Sequence, residues 1–494
     1  MACEETRRWP IIAAIGVFIM RVEGGSMTAQ EGWRDRLWAR LRAEYEARFP
    51  RSGQAHARAM RYLVDGGSHP QRLYDPFAFR AVAAHGAHVR DLDGHDIVDY
   101  WQGHYANVLG HNPPVVTGPL AEALQGGYGL QSGLPEELEA DLAELLLRQT
   151  GDERVRLTTA GSLATMYAIM LARAYTGREL VLKIGGGWHG AQPLAIRGTH
   201  FGAQGLGGVD SLGVPDDGPA QTLVTRFNDL DALHAAFRQH GDRLACFIVE
   251  PCPGNGGFMA ADPEYLRAAR ELTQRHGALL IIDEIITGFR FAASGAQKLY
   301  GVQGDLSTYG KVIGGGMPLS AVTGRADIME LSSRSSHKRV LFNGGTFSAH
   351  PASMLAAKTM LAYLAEHEAE VYPRLNAMGE RLRAGIERAF ADHGIAARCT
   401  GYPNEAVRGS SLIQVHFPHR EDAVLDCPEM VWDPQYTDTQ LREQVLRLGL
   451  VLRDVNVSHG LGAVSTAHTE ADLERTLAAF DWVAGRIAEA RENG

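Results

Sequence analysis

The chain is poor in features that would commit it to several broad classes. Its five cysteines (Cys3, Cys246, Cys252, Cys399 and Cys427) are odd in number and contain no CxxC pair. A disulfide framework or a zinc knuckle needs paired spacing, so the thiols read as reduced and the protein as cytoplasmic. Basic charge is also short: 48 Lys and Arg stand against 58 Asp and Glu, a net −10 with histidine neutral. Nucleic acid and anionic membrane surfaces both select a basic face, so neither is expected as the main partner. The apolar run 11–20 follows Arg7 and Arg8 but falls short of the roughly 20 residues that cross a bilayer. No small-x-small cleavage site follows it at Arg21-Val22-Glu23, which disfavours a secretory signal. Residues 1–26 are therefore expected to be a spurious or disordered extension, with Met27 as the natural start and 33–49 as an amphipathic opening helix. Internal repeats and low-complexity tracts are absent as well.

What is present is an ordinary globular composition, 45% hydrophobic and 21% charged, in a chain too long for one core. Its 56 glycines are spread throughout, as expected where many tight turns line a site. From about residue 150, short apolar runs bounded by turns alternate with helical segments. Strands are expected at 155–157, 180–184, 244–249, 279–282 and 321–323, all without polar alternation, as in a parallel sheet buried on both faces. The stretch from Asp262-Pro263 to His276-Gly277 has the punctuation of a helix between two of them. Farther on, 354–390 is helical in pattern, 412–417 and 450–453 are strand-like, and a last helix starts at Glu470. The expected organisation is α/β: an N-terminal segment at 27–104, a large domain with a mostly parallel sheet at 105–351, and a smaller α+β domain at 352–494.

Ligands in such sheets sit beyond the carboxyl ends of the strands, and four exits there carry chemistry. Thr158-Thr159-Ala160-Gly161-Ser162 opens a helix and offers backbone N–H groups to a phosphate, or is a plain helix start capped by Ser162 or Thr159. Asp283 and Glu284 leave an apolar strand, where desolvation demands partners; a protonated ring nitrogen would serve, as would a helix cap or a buried ion pair. Lys311, between Gly310 and the run Gly314-Gly315-Gly316, sits where desolvation frees an amine as nucleophile, unless it is a surface lysine. It does not fit a Walker loop, which disfavours a nucleotide-binding module. Gly187-Trp188-His189-Gly190 places an indole and an imidazole on glycine hinges, either to stack on a flat ring or as a buried structural Trp. A phosphate cradle, an aromatic platform, an acid and an amine are together the parts that pyridoxal phosphate requires.

These motifs, with Asp91-Leu92-Asp93-Gly94, Leu109-Gly110-His111-Asn112, Val249-Glu250-Pro251, Thr287-Gly288-Phe289-Arg290 and Gly345-Thr346-Phe347-Ser348, resemble the class III pyridoxal-phosphate aminotransferases over residues 66–486. The nearest branch is the glutamate-1-semialdehyde 2,1-aminomutases. The resemblance implies the aspartate-aminotransferase-like fold (fold type I), with Lys311 as the covalent anchor of the cofactor (the internal aldimine) and the proton carrier. It implies Asp283 on the pyridine nitrogen, Trp188 stacked on the ring with His189 beside it, and Gly161 and Ser162 on the phosphate. Asn255 would lie near the ring, Thr346 would reach a phosphate across a homodimer interface, and Arg72 would clamp the substrate carboxylate. A surface ion pair is the alternative for Arg72. The implied reaction moves an amino group through a pyridoxamine phosphate form, on a small amino or keto substrate and without a metal.

Some positions depart from the family pattern. Ala160-Gly161-Ser162-Leu163-Ala164 stands where Ser-Gly-Thr-Glu-Ala is usual, and Ala349-His350-Pro351 where Gly-Asn-Pro is frequent. The segment 197–215 matches a gating loop in length but not in residues. Loss of one hydroxyl removes one phosphate hydrogen bond and leaves the backbone donors in place. An aminotransferase for a β- or ω-amino acid or amine, with a keto-acid acceptor, is therefore the alternative to the aminomutase. A cofactor-binding protein without turnover is disfavoured by Lys311 and Asp283.

Overall fold

The computed structural model describes residues 32–199, 208, 211–214 and 221–493. The expectation for 1–26 lies outside these residues, as does most of the segment 197–215.

The apolar runs form a seven-stranded sheet. In chain order its strands are β1 (Arg154–Thr158), β2 (Leu180–Ile184), β3 (Thr222–Thr225), β4 (Leu244–Val249), β5 (Leu279–Glu284), β6 (Leu306–Tyr309) and β7 (Ser320–Gly324), arranged β1-β7-β6-β5-β4-β2-β3. β3, β2, β4, β5 and β6 are parallel neighbours. β7 runs antiparallel to both β6 and β1, so β1 again points with the parallel set. The fold is thus α/β with a mostly parallel sheet. β2, β4 and β5 are buried along their whole length, which is why they read without polar alternation. Helix Pro263–His276 joins β4 to β5 and stops at Gly277, whose φ of +64° gives the left-handed cap. Asp262 occupies its N-cap position without a side-chain capping bond.

The chain ends meet in smaller sheets. Strands Ala81–His85, His88–Asp91 and Asp96–Asp99 are joined by Val455–Asn456, which pairs in parallel with Val98 and Asp99. Arg398–Thr400, Leu412–His416 and Gly462–Ala463 form a third sheet. Helices Trp33–Arg48, Glu368–Ala391 and Glu470–Glu492 cover these sheets, and Leu41, Leu382 and Phe480 share one core. One expected strand is corrected: 450–453 lies mainly in helix Arg447–Leu452. Its apolar residues are buried all round, a pattern that periodicity cannot divide between strand and helix. Among the described residues no helix is long and apolar enough to cross a membrane. The four described cysteines are free thiols, three of them buried.

Candidate active site

The four loaded exits converge at the carboxyl edge of the sheet because β1, β2, β5 and β6 all point there. At the first, helix Gly161–Thr176 starts with Ala160 at the N-cap and no side-chain cap, so neither Ser162 nor Thr159 caps it. Its first N–H groups are left for an anion, at the positive end of sixteen aligned residues. Thr165, one turn on, donates its hydroxyl to the carbonyl of His189 at 2.6 Å and so ties this turn to the loop after β2.

Asp283 and Glu284 point to opposite sides of β5 and do different work. Glu284 accepts from the Gln297 amide at 2.8 Å and from the Thr287 hydroxyl, closing the turn that follows the strand. Burial pushes its carboxyl up to about 7. Asp283, 1% exposed, faces the site. It accepts from His189 Nδ1 at 2.7 Å, the Ile285 amide at 3.1 Å and the Thr308 hydroxyl at 3.0 Å. A carboxylate oxygen accepts, so Nδ1 carries the proton, and Nε2 is buried without a partner among the described residues. Burial holds His189 below the usual imidazole range and hence neutral.

Lys311 follows β6, next to β5, and opens a short turn, Lys311–Gly314. Its φ of +48° is a left-handed conformation that costs a non-glycine residue energy and is found most at functional sites. Desolvation pulls its amine down to about 8, although Asp283 and Glu250 pull the other way. Trp188 is half-buried, with its amide 3.5 Å from Glu250 Oε2. The loop that carries it is clipped from below by the fully buried Lys183, whose ammonium donates to the carbonyls of Gly187, Ala195 and Arg197 at 2.7–2.8 Å. Asn255 braces the same loop through Thr199 O at 2.7 Å, while its own carbonyl accepts from the Trp432 indole.

Arg72 is exposed at the end of the turn Pro70–Arg72 and has no acidic partner among the described residues. Its charge and that of Lys311 both bear on His104, which burial, foremost, drives down to about 3. His104 lies in a left-handed turn with positive φ from Gln102 to Tyr105. Thr346 is exposed and stands apart from Asp283 and Lys311 in hydrogen bonding; its carbonyl accepts from Gln131 at 3.1 Å. The exits thus bring Gly161, Ser162, Trp188, His189, Asp283 and Lys311 to one edge, with Asn255 behind the loop. Thr308 and His104 carry no local sequence signal, since the groups they act on are remote along the chain; Glu250 stands out only within the motif Val249-Glu250-Pro251, and Lys183 only as a charge inside an apolar strand.

The donor set fits the cofactor that the motifs imply: free amides at a helix start for a phosphate, a carboxylate that accepts from three donors for a cationic ring nitrogen, and an amine lowered to about 8. Comparison with known proteins agrees. The family described as Aminotransferase class-III matches residues 71–400. A glutamate-1-semialdehyde 2,1-aminomutase of Methanosarcina acetivorans is 34% identical over 88% of this chain and 98% of its own. Among solved structures, an omega-transaminase from Sphaerobacter thermophilus superposes with a TM-score of 0.78 at 31% identity, covering 89% of this chain and 98% of that one. A β-phenylalanine aminotransferase from Variovorax paradoxus gives 0.79 at 30%, covering 91% and 97%.

Proposed function

The chain belongs to the class-III aminotransferases, a pyridoxal-phosphate-dependent enzyme family, and from that premise we propose that it moves an amino group on glutamate-1-semialdehyde or a close analogue, as a 2,1-aminomutase. When bound, the cofactor supplies an electron-withdrawing ring that stabilises negative charge on the substrate carbon. The chain's own residues do the rest. Lys311 would hold the cofactor through its amine and would move a proton at the substrate carbon, a task suited to an amine near neutrality. Asp283 holds the ring nitrogen protonated, and His189 keeps Asp283 oriented. Gly161 and Ser162 take the phosphate, Trp188 covers one ring face, and Asn255 fixes the loop that carries it. Arg72 binds a substrate carboxylate in bidentate fashion, which its lack of an acidic neighbour supports.

The observation that carries this reading is the pairing of Asp283 with a lysine lowered to about 8 on the adjacent strand exit. Borohydride reduction of the yellow protein followed by peptide mapping tests the anchor: the label is expected on Lys311, and a label elsewhere overturns it. Assay of glutamate-1-semialdehyde against a panel of β- and ω-amino donors with keto acids tests the substrate. Turnover confined to the panel selects the second reading, which the omega-transaminase and β-phenylalanine aminotransferase relatives favour.

The protein acts in the cytoplasm as a homodimer in this proposal. Its free thiols support the first part. Exposed apolar residues at Leu130, Leu134, Leu341 and Phe347, around the exposed Thr346, support the second.

A further inference from the structure

Glu250 is a buried acid that the reaction above does not use. It follows β4, is 4% exposed, and stands beside Asp283 and His189, with one oxygen of each carboxyl and one ring nitrogen all within 4.8 Å. Two carboxylates this close and this dry repel each other strongly, so only one of them keeps its charge. Hydrogen bonding decides which. Among the described residues Asp283 has three donors at 2.7–3.1 Å, whereas the donor to Glu250 is a single amide, that of Trp188 at 3.5 Å. We propose that Glu250 is a positioning residue that holds a proton, so that the acid pair presents one negative charge, on Asp283, to the ring nitrogen of the cofactor.

The charged and titratable groups around the pair are consistent with this. His189 is neutral with its proton on the Asp283 side. The cations are Lys311 and Lys183, and both favour an ionised Glu250, but Lys183 is held on loop carbonyls and Lys311 acts on Asp283 as well. The thiol of Cys252, on the other side, is pushed up by burial and by Glu250 and contributes no charge. Burial and the Asp283 charge together raise the Glu250 carboxyl well above the ordinary range.

The proposal rests on the cofactor reading only for its consequence, and the test separates the two. In the infrared difference spectrum of the full-length chain against Glu250→Gln near neutral pH, a protonated-carboxyl stretch assigned to Glu250 is expected. In Asp283→Asn, where the like charge is gone, the pH at which the stretch disappears should fall, while burial still holds the carboxyl above the ordinary range. In the holoenzyme, Glu250→Gln, which is neutral like the acid it replaces, should leave the cofactor Kd within about threefold and the apparent pKa of the bound-cofactor absorbance unmoved. A spectrum without the stretch in the parent chain overturns the acid pair. So does a drop of about one unit or more in that apparent pKa on Glu250→Gln, the signature of a lost negative charge. If the protein carries no visible cofactor band at all, the cofactor reading fails while the infrared result still decides the acid pair.

Discussion

At the scale of single residues, the site depends on desolvation acting on one amine. Lys311 is taken from an ordinary 10.5 to about 8 by burial, against the attraction of Asp283. The sign is that of a base made easier to deprotonate: the free amine is present above about 8 and lost as pH falls below it. Capture of pyridoxal phosphate by the cofactor-free chain, trapped with borohydride, should rise about tenfold per pH unit up to about 8 and then level off. Capture that continues to climb to pH 10 would mean an ordinary lysine. Lys311→Ala should abolish capture at every pH while leaving a folded protein. Thr308 offers a finer test, because its hydroxyl is one of three donors to Asp283. Thr308→Val removes a hydrogen bond to a charged group, about 1.5–3 kcal/mol, which reads as a rise of roughly tenfold to a hundredfold in cofactor Kd. Asp283 was legible in the sequence because it ends an apolar run, where a charge is conspicuous, and Lys311 because it stands between Gly310 and the run Gly314-Gly315-Gly316. Thr308 was not, and Glu250 was legible as a motif residue without a role. The first is an unremarked hydroxyl inside a short strand, and the second acquires meaning only from a neighbour 33 positions away in sequence, brought near by parallel pairing of β4 with β5.

At the scale of elements, the first turn of helix Gly161–Thr176 is wedged against the loop after β2. Gly190 has φ +88°, and a Cβ placed there would lie within 2.6 Å of Ser162 Cα. Gly190→Ala must therefore push the phosphate turn aside. The combined cost of left-handed strain and overpacking is about 2–4 kcal/mol, and cofactor affinity should fall with it. Gly177→Ala is the control, since it ends the same helix at φ +67° with open space around the added methyl. Thermal melts should show a smaller loss there, about 1–2 kcal/mol, with cofactor Kd unchanged. Equal loss of affinity in both variants would remove the wedge argument. Element types were legible where burial was two-sided, as in β2, β4 and β5, or where caps punctuated a helix, as at Gly277. Strands β3 and β6 escaped notice because each is four residues long, and β6 carries Ser307 and Thr308 among its buried positions. Helix Arg447–Leu452 misled for the opposite reason: an unbroken apolar run in a helix buried on every side looks the same as a buried strand.

At the scale of the whole molecule, the segment bearing Thr346 poses a geometric question. Gly345 runs beside Thr159 of its own chain, at the foot of the phosphate turn, yet Thr346 itself is exposed among exposed apolar residues. Thr346 then serves either its own site or that of a second copy, and the two cases differ in a mixing experiment. Lys311→Ala and Thr346→Ala chains, each weak or inactive alone, are unfolded together and refolded as a mixture. Random pairing gives about half mixed dimers. If Thr346 acts across the interface, each mixed dimer assembles one site with an intact Lys311 from one chain and an intact Thr346 from the other. Activity should recover to about one quarter of the parent enzyme's. If Thr346 acts within its own chain, no site in any dimer has both groups, and the mixture stays at the average of its parts. Sedimentation of the mixture confirms that dimers have formed, so that failure of recovery reads as a role within the chain and not as failure to assemble.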